Sequence, residues 1–300
     1  FFLFSKTGLQ RLLQIVADDY TLPQMSTHFE IKRILQSGDE AGVCIADFTG
    51  DGLEDVYAVV SGANNRLYPA SNNKAPGHFD EIAEKAGVSG NSYAKKELYN
   101  YDYGVSCADI ENDGDQDILV TSLYGPSDLF RQLKSSKFHD QTKTAQLDKD
   151  FGRSCLGIWS DVDRDGSIDL FVNNSDSASH LYKNNGAGIF SDVTLNAGMF
   201  GIKSSSAAFG DIDNDGDDDL ICAGGRRLRF FLNISKKGKP LFIEQQYDCI
   251  FASTDSLAPI SDLFLADLDN DGDLDIFLTR IMTSNAVSYT HLTLPTKVSV

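Results

Sequence analysis

The sequence predicts an all-β fold assembled from repeated four-stranded units. Three observations predict it: an acidic nine-residue turn that occurs five times, short β-branched and aromatic runs on both sides of each turn, and a further aromatic pair at a nearly constant distance beyond it. The first Asp residues of the turns lie 62, 52, 50 and 56 positions apart. Four short strands in each such interval, joined by tight turns, form the pattern of propeller blades. The expected architecture is a β-propeller with four-stranded blades, about five of them present, between residues 25 and 285.

Each unit reads in the same order. A strand runs into a small residue just before the turn, namely Ala46, Ala108, Ser160, Gly210 or Ala266. After the turn come apolar runs such as Asp117-Ile-Leu-Val-Thr and Asp169-Leu-Phe-Val-Asn, short and β-branched as strands are. The third strand is marked by Leu67-Tyr68, Leu129-Phe130 and Leu181-Tyr182 at 20 residues from the first Asp, and by Phe230-Phe231 at 19. A turn and a fourth strand are clearest from Asn184 to Thr194, with weaker counterparts at residues 77–82 and 137–140.

Charge locates the chemistry. The five turns hold 24 of the 44 acidic residues and one of the 26 basic ones, a net of −23, which leaves 20 acidic and 25 basic residues elsewhere, a net of +5. The overall −18 therefore resides in the turns and gives no reason to expect nucleic acid as a partner. Such concentrated repulsion calls for a cation, and hard carboxylate oxygens at alternate positions suit calcium, which takes six to eight oxygen ligands.

Positions 1, 3, 5 and 9 of each turn offer side chains and position 7 a backbone carbonyl. The expected ligands are Asp47, Thr49, Asp51, Leu53 and Asp55 in the first turn and Asp109, Glu111, Asp113, Asp115 and Asp117 in the second. The third offers Asp161, Asp163, Asp165, Ser167 and Asp169, the fourth Asp211, Asp213, Asp215, Asp217 and Asp219, and the fifth Asp267, Asp269, Asp271, Asp273 and Asp275. Position 6 is always glycine (Gly52, Gly114, Gly166, Gly216 and Gly272), as a sharp turn with positive φ requires. Thr49 is neutral, so the first site is expected to be the weakest. An EF-hand would need Glu at position 12, where this chain has Ala58, Val120, Val172, Cys222 and Leu278.

Other features carry less. The five cysteines are odd in number and define no framework; Cys44, Cys107 and Cys222 read as small buried hydrophobes, with one bridge possible. No H-E-x-x-H, G-x-S-x-G or phosphate loop occurs, and His139 and His180 read as ordinary strand positions. Trp159, the single tryptophan, reads as packing between blades. The interval from Gly87 to Ala108 is longer than its counterpart from Gly198 to Gly210, and its excess contains Tyr93, Lys95, Lys96, Tyr99, Tyr101, Asp102 and Tyr103, either an inert elaboration or a contact surface. Residues 1–24 stay unassigned; Leu9, Leu12, Leu13 and Val16 have helical spacing over a single window. Residues 286–300 read as a non-native tail, the alternative being an edge strand ended by Pro295.

The turns, together with Phe209-Gly210-Asp211, resemble the FG-GAP or VCBS repeats of integrin-alpha-type β-propellers. Leu181-Tyr182-Lys183-Asn184-Asn185-Gly186 and the stretch from Phe79 to Val88 are similar to the cartilage acidic protein and ASPIC/UnbV-type branch. The resemblance implies an extracellular calcium-binding propeller, commonly seven-bladed, of which this chain would hold a fragment. On that basis the expected function is non-catalytic adhesion or recognition of a protein or glycan, with no nucleic acid and no membrane insertion. The alternative is an accessory or substrate-binding propeller of a larger extracellular hydrolase or lyase.

Overall fold

Strands form where β-branched and aromatic residues flank the acidic turns, because such side chains pack well on a pleated, buried surface. The structure, a computed structural model, describes residues 4–5, 40–70, 80–90, 102–133, 136–148, 152–246, 259–267, 270–281 and 287–293. The chain divides into two compact units, Phe1–Ser154 and Cys155–Val300.

The first unit holds two antiparallel sheets. One is formed by β1 (Phe4–Ser5), β2 (Glu40–Ala46), β3 (Asp55–Val60) and β4 (Arg66–Tyr68), and the other by β5 (Asp102–Ala108), β6 (Asp117–Ser122), β7 (Asp128–Leu133) and β8 (Lys137–Asp140). In the second unit, β9 (Ser154–Ser160), β10 (Asp169–Asn174), β11 (His180–Asn184) and β12 (Phe190–Asp192) make the third sheet. The fourth sheet contains β13 (Ser206–Gly210), β14 (Asp219–Gly224), β15 (Arg227–Asn233) and β16 (Phe242–Gln245), and the fifth contains β17 (Ile260–Ala266), β18 (Asp275–Ile281) and β19 (Val287–Thr293). Every sheet follows chain order, as a meander of hairpins must, and the four-stranded unit expected from the repeat is present.

Register explains the small residue before each turn. Ala46 lies directly across from Asp55, Ala108 from Asp117, Gly210 from Asp219 and Ala266 from Asp275. Each of these aspartates is almost fully buried, so its cross-strand neighbour must leave room. At Gly210 a Cβ would come within 2.8 Å of Leu274 Cδ1.

The third-strand pairs supply the core. Leu67, Leu129 and Leu181 are wholly buried opposite Tyr57, Leu119 and Phe171. Apolar clusters lie between successive sheets: Phe48, Tyr57 and Leu67 with Val105, Ile118 and Phe130 in the first unit, and Phe171 and Leu181 with Ala207, Leu220 and Phe231 in the second. Ile221 and Phe230 meet Leu263 and Ile276 in the same way. Full burial of each such side chain stabilises by about 1.5–3 kcal/mol.

The reading of residues 77–82 as a fourth strand needs correction for its described part. Residues 80–82 form no strand; the Ile82 N–H donates to Leu67 O at 2.9 Å and the chain enters α1 (Ala83–Ala86). Gly87 ends that turn with φ 87°, a left-handed conformation in which its N–H reaches back to Ala83 O. The same backbone closure recurs from Ala145 N to Gln141 O and from Ala197 N to Val193 O, with Gln146 and Gly198 left-handed. The first sheet reaches four strands instead through β1, where Phe4 pairs with Val43.

Residues 287–293 pair along the whole of β18 as β19. Asp102 and Tyr103 belong to β5 rather than to an inserted loop; Asp102 is buried and accepts from Asn65 Nδ2 at 2.8 Å, and Tyr103 is exposed. Tyr93, Lys95, Lys96, Tyr99, Tyr101, Cys249 and residues 6–39 lie outside the described residues. Cys44 and Cys107 form a disulfide between β2 and β5; the preferred reading of both as small buried hydrophobes is corrected, and the one bridge left open by the sequence gains its partners. Cys222 is buried and unbridged, as expected. Among the described residues no helix is long and apolar enough to cross a membrane.

Candidate metal centres

The five acidic turns adopt one backbone plan. The first Asp acts as an internal cap: one carboxylate oxygen accepts the N–H of position 5 and the other that of position 6. In the fourth turn Asp215 N donates to Asp211 Oδ1 at 3.0 Å and Gly216 N to Oδ2 at 2.9 Å, and the pattern repeats at Asp47, Asp109, Asp161 and Asp267. The fifth Asp repeats the device over a shorter span, so that Asp217 N donates to Asp215 Oδ1 at 3.0 Å. At Asp47 burial would raise the carboxyl, but the N–H groups of Gly52, Asp51 and Gly50 outweigh it and hold its pKa below the ordinary value.

Two residues in each turn are left-handed. Position 6 is the expected one, with φ from 84° at Gly52 to 98° at Gly166. Position 4 is the other: Gly50, Asn112, Arg164, Asn214 and Asn270 all have φ between 55° and 71°. Asn tolerates that region better than most side chains, so four of the five carry a legible signal and Arg164 does not.

The ninth residue begins the second strand and is drawn into the sheet. Its Oδ1 accepts a backbone N–H from the third strand or the residues just beyond it: Ala70 to Asp55, Gln132 to Asp117, Asn184 to Asp169 and Asn233 to Asp219, all at 2.7–2.8 Å. Burial pushes Asp55 up to about 6 and Asp169 and Asp219 up to about 7. Asp117 is raised as well, by burial and by Glu111 beside it. A group so disfavoured as a bare anion stands ready for a positive charge.

The donor set fits a hard cation. Asp55 Oδ2, Asp163 Oδ1, Asp169 Oδ2 and Asp213 Oδ1 are buried oxygens without a hydrogen-bond donor. In the third turn one oxygen each of Asp161, Asp163 and Asp169 lie within 4.8 Å of one another, and in the fourth the same holds for Asp211, Asp213 and Asp215. That is the span across an ion contacted by oxygens at about 2.3–2.6 Å. Asp269 lies outside the described residues. Thr49 Oγ1 stands 3.5 Å from Asp47 Oδ1, while Leu53 and Ser167 at position 7 carry no carboxylate.

Four side chains make contacts with the turns that were not foreseen from sequence. Arg131 of β7 lies over the second turn, with Nε 2.7 Å from Glu111 Oε1, an ion pair without the alignment of a hydrogen bond, and Nη2 3.3 Å from Asp113 Oδ2. Lys183 of β11 lies over the third turn, where Nζ donates to Asp163 Oδ2 and, at 2.5 Å, to Asp165 Oδ2. Burial alone would lower the Lys183 pKa, but these carboxylates raise it. In addition, Arg164 at position 4 of the third turn pairs with Asp217 at position 7 of the fourth, so the Asp217 side chain is engaged rather than spare. Ser160 Oγ likewise donates to Asp218 Oδ2 at 2.7 Å. The Trp159 ring meets Phe190 of its own sheet at 6.0 Å. His139 is exposed, and His180 Nδ1 lies 2.9 Å from Asp192 Oδ2.

Comparison with known proteins gives three results. A family model described as FG-GAP-like repeat matches residues 47–120, 161–222 and 211–278, well over half of the chain. Cartilage acidic protein 1 of Homo sapiens is 25% identical over 300 residues, covering 91% of this chain and 42% of the relative; the Xenopus tropicalis counterpart is 23% identical, covering 82% and 40%. The chain thus spans about two fifths of the length of these relatives. Among solved structures, an Agrocybe aegerita lectin that recognises non-reducing terminal N-acetylglucosamine superposes with a TM-score of 0.51 at 19% identity, covering 83% of this chain and 64% of the lectin, a likeness of fold.

Proposed function

The chain belongs to the FG-GAP-like repeat family, and from that membership we propose that it is a calcium-binding, non-catalytic recognition module of the extracellular space. Calcium at the turns would fix the blade ends, and the blades would present a surface to a protein or glycan. The observation that carries the reading is the buried ninth carboxylate of the third turn, Asp169, whose second oxygen has no donor while oxygens of Asp161 and Asp163 lie within 4.8 Å of an Asp169 oxygen and of one another. Calcium suits that donor set better than zinc, which prefers nitrogen and sulfur. The Cys44–Cys107 bridge favours an oxidising compartment.

Calcium at about 1 mM, with Kd of about 10⁻⁴ M at a site, contributes roughly 1.4 kcal/mol there. Melting curves of the chain in calcium and in chelator test the reading: chelation should lower Tm by several degrees, and coincident curves would overturn it. Glycan-array and matrix-protein binding, each measured in both conditions, then identifies the class of partner.

A further inference from the structure

Arg131 and Lys183 occupy equivalent places. Each is the residue immediately before the one whose backbone N–H caps the ninth aspartate, Gln132 on Asp117 and Asn184 on Asp169. In the fourth sheet Asn233 caps Asp219, which puts Leu232 at that place; in the first, Ala70 caps Asp55, which puts Pro69 there. The third strand therefore extends a cation over turns two and three and none from that place over turns one and four. Both cations contact the acids at positions 3 and 5, which are ligands in the calcium reading.

From this pattern we infer that Lys183 and Arg131 are tethered competitors of calcium, which bias the array so that the fourth turn fills at lower calcium than the second and third. The inference rests on the calcium reading of the turns and adds an order of occupancy to it. In the third turn Lys183 holds one oxygen of the wholly buried Asp163, while Asp163 Oδ1 and Asp169 Oδ2 remain without donors. One positive charge cannot satisfy the four carboxylates of that turn, so the site retains affinity for a divalent ion. Calcium must, however, displace an ammonium already in contact. Tethering makes the competitor effective, because its local concentration does not fall on dilution. Among the described residues the fourth turn meets no such competitor: of its acids Arg164 touches the position 7 side chain, which in the coordination scheme leaves ligation to its carbonyl.

The third turn can be read separately, since Trp159, the single tryptophan, lies two residues before Asp161. Terbium(III) bound there should emit on excitation of that indole, and competition with calcium gives the affinity of this turn; calorimetry of the same chain gives the sites together. Lys183→Met, which keeps the aliphatic stem, should tighten calcium at the third turn at least about tenfold, since a unit charge in contact with the ion is removed. Leu232→Lys should weaken the tightest calorimetric site by a similar factor, and it decides the matter alone if Lys183→Met does not fold. An unchanged third-turn affinity in Lys183→Met, or an unchanged tightest site in Leu232→Lys, with calcium still binding the wild-type chain, overturns the inference and leaves the calcium reading standing. No saturable calcium binding by the wild-type chain removes both.

Discussion

Asn214 donates from Nδ2 to Oδ1 of Asp273 at 2.7 Å, joining position 4 of the fourth turn to position 7 of the fifth. Arg164 and Asp217 make the same connection between the third and fourth turns. In the third and fourth turns the left-handed residue is thus also the link to the following turn. Asn214→Ala removes the link and the side chain best suited to that φ, and should cost about 1 kcal/mol in urea denaturation. Asn214→Gly, which relieves the backbone but also lacks the amide, should cost less.

The coordination scheme makes unequal claims on the acids of the fourth turn. Asp215→Asn and Asp219→Asn each remove a charged ligand and should weaken calcium at that turn at least about tenfold. Asp217→Asn should cost less, because in this scheme only its carbonyl would ligate and its side chain already faces Arg164. Titration by calorimetry with the other turns intact ranks the three. Equal losses would mean that the acids act as a diffuse negative patch.

Gly216 has φ of 91°, and a Cβ placed there would meet nothing within 4 Å. The constraint is therefore conformational and not steric crowding. Gly216→Ala should destabilise by about 1–2 kcal/mol through the left-handed penalty alone. A larger loss, measured by thermal unfolding in chelator, would point to a contact the glycine protects.

Cys44 and Cys107 stand 63 residues apart in sequence and join β2 to β5. Closing so long a loop restricts the unfolded chain, so the double variant Cys44→Ala/Cys107→Ala should lose about 2–5 kcal/mol. Denaturation with and without reductant gives the same comparison in the unmodified chain.

Asp128 is buried, and burial, followed by the charges of Asp102 and Asp140, pushes it up to about 7 against an ordinary 3.8. Between those values the folded chain holds a proton that the unfolded chain has lost. Its contribution is therefore most favourable below about pH 4 and is lost as pH rises through 7. Asp128→Asn should flatten this part of the stability profile, by at most about 4 kcal/mol across the window. An identical pH profile in wild type and variant would remove Asp128 from the account.

The sequence made legible what is local. The shape of the acidic turns, the position 6 glycines, the buried second strand and the Leu67 and Leu181 steps all depend on residues close in sequence. What it hid depends on residues distant in sequence but adjacent in space. Lys183 reaches Asp163 from the third strand, 20 residues on, and its charge looks like any exposed lysine in a linear reading. Cys44 and Cys107 meet only because β2 of the first sheet packs beside β5 of the second. The helical turn at Ala83–Ala86 was hidden differently: Ala86-Gly87-Val88 carries the helix-ending glycine, but Phe79-Asp80-Glu81-Ile82 before it resembles Phe190-Ser191-Asp192-Val193, which opens with a strand. Position 4 was half legible, since Asn112, Asn214 and Asn270 advertise a left-handed residue and Arg164 conceals one.

Because the first aspartate of every turn is satisfied by two backbone N–H groups of the same turn, the loop is a fold before it is a receptor. Its shape is inherited separately from its chemistry. A duplicated repeat can then exchange an acid for a hydroxyl, as at Thr49, or gain a basic neighbour, as at Lys183, and still close its hairpin. An array of such repeats is in this way free to vary the charge it offers from one turn to the next, with the architecture that carries it left undisturbed.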